Sequence, residues 1–267
     1  MKSLRTSLQV FLAFSENEKD FSVAELAAQL GYNRSHVSKI ADALVASGLL
    51  LQDEETRRFA VGPEAFAVGS RFVNFDRLSN EAMGVMRPLA RSTGYGARLC
   101  IPRPGRMLYV ASVEGARYVD YGWQAGKWLS MHSTSSGRVA LAFMAPALAE
   151  EALSKPLARF TEDTIINRQV LKRLMAKVRE SGFSTVRNES ILGLGAIAVP
   201  VFGKAQRLIG TINLAFPSRM VSVDDEPALV AALHAAATEL SLKMGCPVYP
   251  FGSQQPAMGS LVMSSEP

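Results

Sequence analysis

Cysteine is scarce. The 267 residues include only Cys100 and Cys246, too few for a disulfide framework and too far apart for a CxxC metal site. Such a chain suits a reducing compartment, and the cytoplasm is the expected location. Long hydrophobic runs are missing as well. The best stretch, residues 139–149, holds Pro146 and has eleven residues, against the roughly 18 that a membrane span needs. Residues 8–14 are apolar but contain Gln9, and they run into Ser15, Glu16, Asn17 and Glu18 without a small-x-small cleavage site. They read as an amphipathic helix rather than a leader, and no membrane partner is expected. Catalytic signatures are lacking too: no Gly-x-Ser-x-Gly elbow, Ser-x-x-Lys pair, His-Glu-x-x-His or Walker loop occurs, so no enzyme, metal or cofactor is expected. Of the three histidines, His132 lacks an acidic or cysteine partner at useful spacing and reads as structural. His234 sits in an alanine-rich helix. A charge excess is also absent where nucleic acid would need one. The net charge is +5, yet residues 1–78 carry nine Lys/Arg against ten Asp/Glu. Any DNA footprint must therefore come from local placement.

What is present is an ordinary globular composition, 48% apolar and 20% charged, long enough for about two domains. Leu4, Leu8, Phe11 and Leu12 recur at helical spacing and predict a first helix. Ser22 and Glu25 form a capping-box pattern that opens a short second helix, stopped at Gly31. Asn33 can cap a third helix over residues 34–47, which buries Val37, Ile40, Ala41, Leu44 and Val45. Two strand-like runs, residues 49–52 and 58–61, flank the turn Asp53-Glu54-Glu55-Thr56. This order is that of a winged helix-turn-helix. Its expected DNA-binding residues are Ser22, Arg34, Ser35, His36, Ser38 and Lys39 on the helices, with Arg57 and Arg58 on the wing. Short polar and cationic side chains at the start of a groove-reading helix reach base edges, whereas wing arginines meet phosphates. The acidic turn argues against deep insertion of the wing tip.

Pro63 predicts a helix start. The helix over residues 64–78 carries Phe66, Phe72, Val73 and Phe75, an apolar face that predicts packing on another subunit. A further helix over residues 79–94 contains Pro88. Strands are predicted at 97–102, 107–113, 117–121, 183–188, 197–202 and 208–216. Helices are predicted at 136–143, 167–181 and 223–244, the last capped by Ser222. The expected class is α+β, with helices flanking an antiparallel-rich sheet, resembling a GAF-type sensor. The expected divisions are a winged helix-turn-helix domain at 1–62, a connector helix at 63–78, a GAF-like α/β effector-binding domain at 79–245 and a flexible tail at 246–267.

Three stretches in this order resemble the IclR family of bacterial transcriptional regulators. They are residues 21–62, the run Met131-His132-Ser133-Thr134-Ser135-Ser136-Gly137-Arg138, and residues 182–201 with Gly193-Leu194-Gly195-Ala196-Ile197-Ala198-Val199-Pro200-Val201. Residues 210–217 and the final helix extend the resemblance over roughly residues 4–245. It implies a cytoplasmic repressor or activator that binds double-stranded DNA at a pseudo-palindromic operator and forms homodimers or homotetramers. It also implies a small organic effector in the second domain.

By that resemblance the effector-binding positions are Tyr118, Ser135, Ser136, Val186, Ala196, Asn213 and Ala215, with Trp123 and Trp128 nearby in sequence. Members that bind small oxo-acids carry Asp, Cys and two Ser where this chain has Val186, Ala196, Asn213 and Ala215. Three polar groups are thus apolar here. A small carboxylate needs convergent donors to offset its dehydration, so an aromatic or aryl-acid effector is expected. The alternatives are a small oxo-acid effector, a pocket that binds nothing, or a sensor that acts through protein partners without DNA. A hydrolase working through Ser135 or His132 is the remaining reading.

Overall fold

A capping box and two turn residues shape the first module. In the computed structural model, which describes residues 2–15, 20–117, 122 and 125–252, α1 (Lys2–Ala13) precedes α2 (Val23–Leu30) and α3 (Arg34–Ala46). The Ser22 hydroxyl accepts from the Glu25 amide, and the Glu25 carboxylate accepts from the Ser22 amide. Gly31 ends α2 at φ 68°, a left-handed conformation that a side chain would strain. Asn33 then caps α3 by accepting from the Ser35 amide. Strands β1 (Leu50–Gln52) and β2 (Phe59–Val61) pair antiparallel, and Phe21 bridges to Phe59. Val10, Leu26, Val37, Ala41, Leu50 and Phe59 fill the core between helices and wing.

Helical spacing in the sequence does not fix which face of α1 meets the core. Helix α1 forms, but Leu4, Leu8 and Leu12 face outward, Leu4 with 62% of its surface exposed. Val10, Ala13 and Phe14 take the core positions instead.

Helix α4 (Pro63–Phe75) has no buried residue, and Phe66 and Phe75 are each 77% exposed. Asp76 stops it and caps α5 (Arg77–Thr93), accepting from the amide and hydroxyl of Ser79. Six strands follow: β3 (Gly96–Arg103), β4 (Arg106–Val113), β5 (Trp128–Ser130), β6 (Ser184–Arg187), β7 (Leu194–Phe202) and β8 (Leu208–Pro217). They form one antiparallel sheet in the order β5-β4-β3-β8-β7-β6. Alternate residues along each strand face opposite sides. Leu99, Ile212, Leu214 and Phe216 pack under α5 and α9 (Glu226–Lys243). Cys100, Met107, Tyr109 and Ala198 pack under α6 (Ser135–Phe143), α7 (Pro146–Ser154) and α8 (Arg168–Ser181). The architecture is the α+β arrangement expected, with a winged helix-turn-helix ahead of it. Among the described residues no helix is long and apolar enough to cross a membrane.

Several boundaries move. Strand β5 and helix α7 had no counterpart in the sequence reading. The closing helix begins at Glu226, because Ser222 and Asp225 bond each other reciprocally in a turn ahead of it. The expected strand over residues 117–121 lies almost wholly outside the described residues. Residues 246–252 are not a flexible tail. Cys246 and Tyr249 are buried, the Tyr249 hydroxyl donates to the Pro200 carbonyl at 3.1 Å, and Phe251 packs on Phe143 and Phe202. Apolar burial holds this segment, its two aromatics outweighing the Pro and Gly around them.

Candidate DNA interface and effector pocket

The start of α3 gathers Arg34, Ser35, His36 and Lys39 on one exposed surface, while Ser38 is half-buried. None of these side chains is needed for the cap, which Asn33 supplies. Arg57 is exposed on the wing turn at a left-handed φ of 56°. Two expected contact residues are placed differently. The Ser22 hydroxyl bonds Glu25 as the cap of α2. Arg58 turns inward: its Nε donates to Asp20 Oδ1 at 3.0 Å, and its Nη2 donates to Glu25 Oε2 and the Asp20 carbonyl, each at 2.8 Å. In the structure this wing arginine pairs with two carboxylates and ties the wing to α2. The Glu25 carboxyl is held below its ordinary value, first by the Ser22 amide, then by the Ser22 hydroxyl and Arg58.

In the second domain, the first turn of α6 meets the sheet. Ser135 and Ser136 come together with Val186 on β6, Ala196 on β7 and Asn213 on β8, joined by Leu129, Thr134 and Ser190. They enclose a cavity of about 10 Å³, at the threshold for a single water. Asn213 Nδ2 donates to Ser136 Oγ at 3.0 Å and reaches Cys100 Sγ at 3.6 Å. Ala215 is buried beside Ala196 in strand register but does not line the cavity. Tyr118 and Trp123 lie outside the described residues. Trp128 is stacked under the Arg106 guanidinium, 3.7 Å from its ring centroid. The close fit of α6 depends on Gly137, since a Cβ there would lie 2.3 Å from Met131 Cα.

Sequence reasoning missed other residues around this pocket. Arg98 is buried on β3 opposite Asn213, with its guanidinium 5.7 Å from the Tyr109 ring. Cys100 and Tyr109 share that face, and burial pushes the Cys100 thiol up to about 11. Period-2 alternation in β3, with Ala97, Leu99 and Ile101 turned to the other side, was the signal available. Arg138 and Glu189 form a buried ion pair. Arg138 Nε also donates to the His132 carbonyl at 2.8 Å, and Glu189 Oε2 accepts from the Ile165 amide at 3.3 Å. The pair fastens the segment after β6 over the start of α6.

His132 is structural, as expected. Its Nε2 faces the Ala158 carbonyl at 2.9 Å, so that nitrogen carries the proton, and Nδ1 accepts from Ser130 Oγ at 2.8 Å. Burial pushes His132 and His234 below the ordinary imidazole value of 6.5. Their folded values lie under the unfolded ones, so the unfolded chain binds more protons in that interval. Their contribution to stability is then complete above the unfolded value and is lost as pH falls through the folded values. The urea midpoint should accordingly decline from about pH 8 to about pH 5. His132→Gln retains a donor towards Ala158 and should flatten the decline. An unchanged pH slope in that variant would contradict this account of His132.

A winged helix-turn-helix with a polar, cationic start to α3, joined by a helix to a sheet domain with an enclosed pocket, fits the ligand-responsive class of DNA-binding protein. Comparison with known proteins makes the class specific. The family described as "IclR helix-turn-helix domain" matches residues 3–54, and "Bacterial transcriptional regulator IclR C-terminal" matches residues 73–242. The chain belongs to the IclR family of bacterial transcriptional regulators. It is 27% identical over 252 residues to the HTH-type transcriptional regulator KdgR of Escherichia coli, covering 93% of this chain and 96% of that one. An IclR transcriptional regulator from Alicyclobacillus acidocaldarius has the same fold, with a TM-score of 0.80 at 23% identity, covering 92% of this chain and 99% of the other. An IclR homologue from Microbacterium hydrocarbonoxydans, solved with 4-hydroxybenzoate, has a TM-score of 0.74 at 21% identity, covering 91% and 98%. The chain is therefore a DNA-binding transcriptional regulator with a C-terminal effector domain.

Proposed function

We propose that the effector is an aromatic or aryl acid and that it enters between α6 and the sheet, at Ser135, Ser136 and Asn213. The observation that carries this reading is the lining itself. Val186 and Ala196 line the cavity beside Asn213 in place of polar groups expected of an oxo-acid site, and Ala215, a third such replacement, is buried next to Ala196 in strand register. The relative solved with 4-hydroxybenzoate supports an aryl acid as an effector that this fold can take. A cavity of about 10 Å³ excludes a ring. Binding thus requires α6 or the Glu189 segment to move. A ligand that selects the open arrangement shifts the closed one by its differential affinity, which is the linkage a regulator needs. Calorimetry tests the class: 4-hydroxybenzoate and related aryl acids should bind, and tighter binding of glyoxylate or pyruvate would overturn the proposal.

The signal passes through α4 to paired winged helices. Arg34, Ser35, His36 and Lys39 meet the major groove, Arg57 lies towards the backbone, and Ser22 and Arg58 brace the module. The uncovered face of α4, with Phe66 and Phe75, packs against a second copy of this chain, and contacts between effector domains would make the tetramer. Exposed aromatics in such number mark an interface. Phe66→Ser with Phe75→Ser should shift the sedimentation profile towards monomer at micromolar concentration. An unchanged profile would place the interface elsewhere. Protein and DNA meet in the cytoplasm, and the position of the operator decides between repression and activation.

A further inference from the structure

The far end of α6 borders a second, larger cavity. It holds about 440 Å³ and lies between the β3–β4 turn, the α6–α7 junction and the start of β8. That volume falls within the range of small-molecule sites, about 300–1,000 Å³. Helix α6 spans nine residues, so the cavity lies about 12 Å along the helix axis from the Ser135 end. The two sites share no lining residue.

The lining of the cavity is amphipathic. Phe143, Met144, Leu148 and Leu208 supply its apolar surface, and Arg103, Lys155 and Arg207 lie around it with one carboxylate, Glu151. Among the described residues none of these three cations forms an ion pair. Arg103 donates only to the Pro102 carbonyl, at 3.0 Å. The carbonyl of Ala142, at the negative end of α6, is taken by Arg179 Nε at 2.7 Å. The local charge is thus +2 over an apolar floor. Such a combination repels an organic cation and gives a neutral apolar molecule no polar contact to fix its orientation. It suits one anionic head, held by charge-assisted hydrogen bonds, on an apolar body.

We infer that this cleft is a second ligand site, for a monocarboxylate carried on a medium-length alkyl or arylalkyl chain. The carboxylate meets Lys155 and Arg207, the chain lies along Phe143, Met144 and Leu148, and Glu151 weakens the site. A ligand there touches the opposite end of the helix whose first turn lines the effector pocket.

Decanoate titrated calorimetrically into the full chain tests the site, with decylamine as the charge control. Decanoate is expected to bind one per chain, and decylamine is not. Lys155→Gln with Arg207→Gln should weaken decanoate at least tenfold, and Glu151→Gln should tighten it. Asn213→Leu, in the effector pocket, should leave it unchanged, so failure of the aryl-acid proposal would not be mistaken for failure of this one. Of the five substituted side chains only Asn213 is buried; a thermal melt of each variant verifies folding. No binding of decanoate, equal binding of decylamine, or full affinity in the double variant overturns the inference. So does a Leu148→Glu variant that loses an oligomer, since the cleft would then be covered by another copy.

Discussion

Arg138→Met is expected to destabilise the chain by about 3–5 kcal/mol. The pair it breaks is buried, with side-chain exposures of 3% for Arg138 and 8% for Glu189. Removing the guanidinium leaves the Glu189 carboxylate inside the protein with the Ile165 amide as its remaining donor. It also leaves the His132 carbonyl without the Arg138 Nε–H that it now accepts. An unpaired buried charge costs far more than a surface pair contributes, because water no longer reaches it. The double variant Arg138→Met with Glu189→Leu should recover most of the loss, since it removes both charges and both dehydration terms. Urea unfolding checks this: the single variant should lower the midpoint with little change in slope. A midpoint within error of wild type would show that the pair is solvated. The effect matters for function because the same contacts hold the segment after β6 over Ser135 and Ser136.

The second large effect concerns DNA. Arg34→Ala should relax discrimination at one base position in each half-site by about 1–3 kcal/mol, if its guanidinium meets a base edge. Lys39→Ala should instead weaken all sequences similarly and lower the salt slope by about one. The proposed dimer presents two copies of α3, so each substitution is expected to act twice at a palindromic site. Arg58→Ala behaves differently. Its guanidinium is held by Asp20 and Glu25, so removal unpairs two carboxylates at the start of α2, on the module proposed to bind DNA. Weaker binding of every sequence is the expected result, and operator binding measured across the three variants separates these roles.

The winged module was legible because its signals are local. Ser22 and Glu25 are three residues apart, Gly31 ends one helix and Asn33 begins the next. Periodicity located α1 but could not say which face meets the core. Leu4, Leu8 and Leu12 form a stripe as regular as any buried one, yet Val10, Ala13 and Phe14 occupy the interior. The Arg58–Asp20 bond spans 38 residues, so no local pattern could announce it. Arg138 and Glu189, 51 residues apart, left no sequence signal at all. Strand β5 has three residues, too short for alternation to register. Five of the positions that the resemblance implies line one cavity, and the closing of that pocket was invisible to it. Volume depends on how side chains from four strands and a helix meet.

On the proposed function, α3 reads a specific DNA sequence. Fluorescence anisotropy on DNA flanking the protein's own gene, taken across a salt series with Arg34→Ala and Lys39→Ala beside wild type, tests it most directly. The expected result is tight binding that falls steeply with salt, resists nonspecific competitor, and is lost or flattened in the variants. Binding that is absent, or that survives both substitutions unchanged, would contradict it.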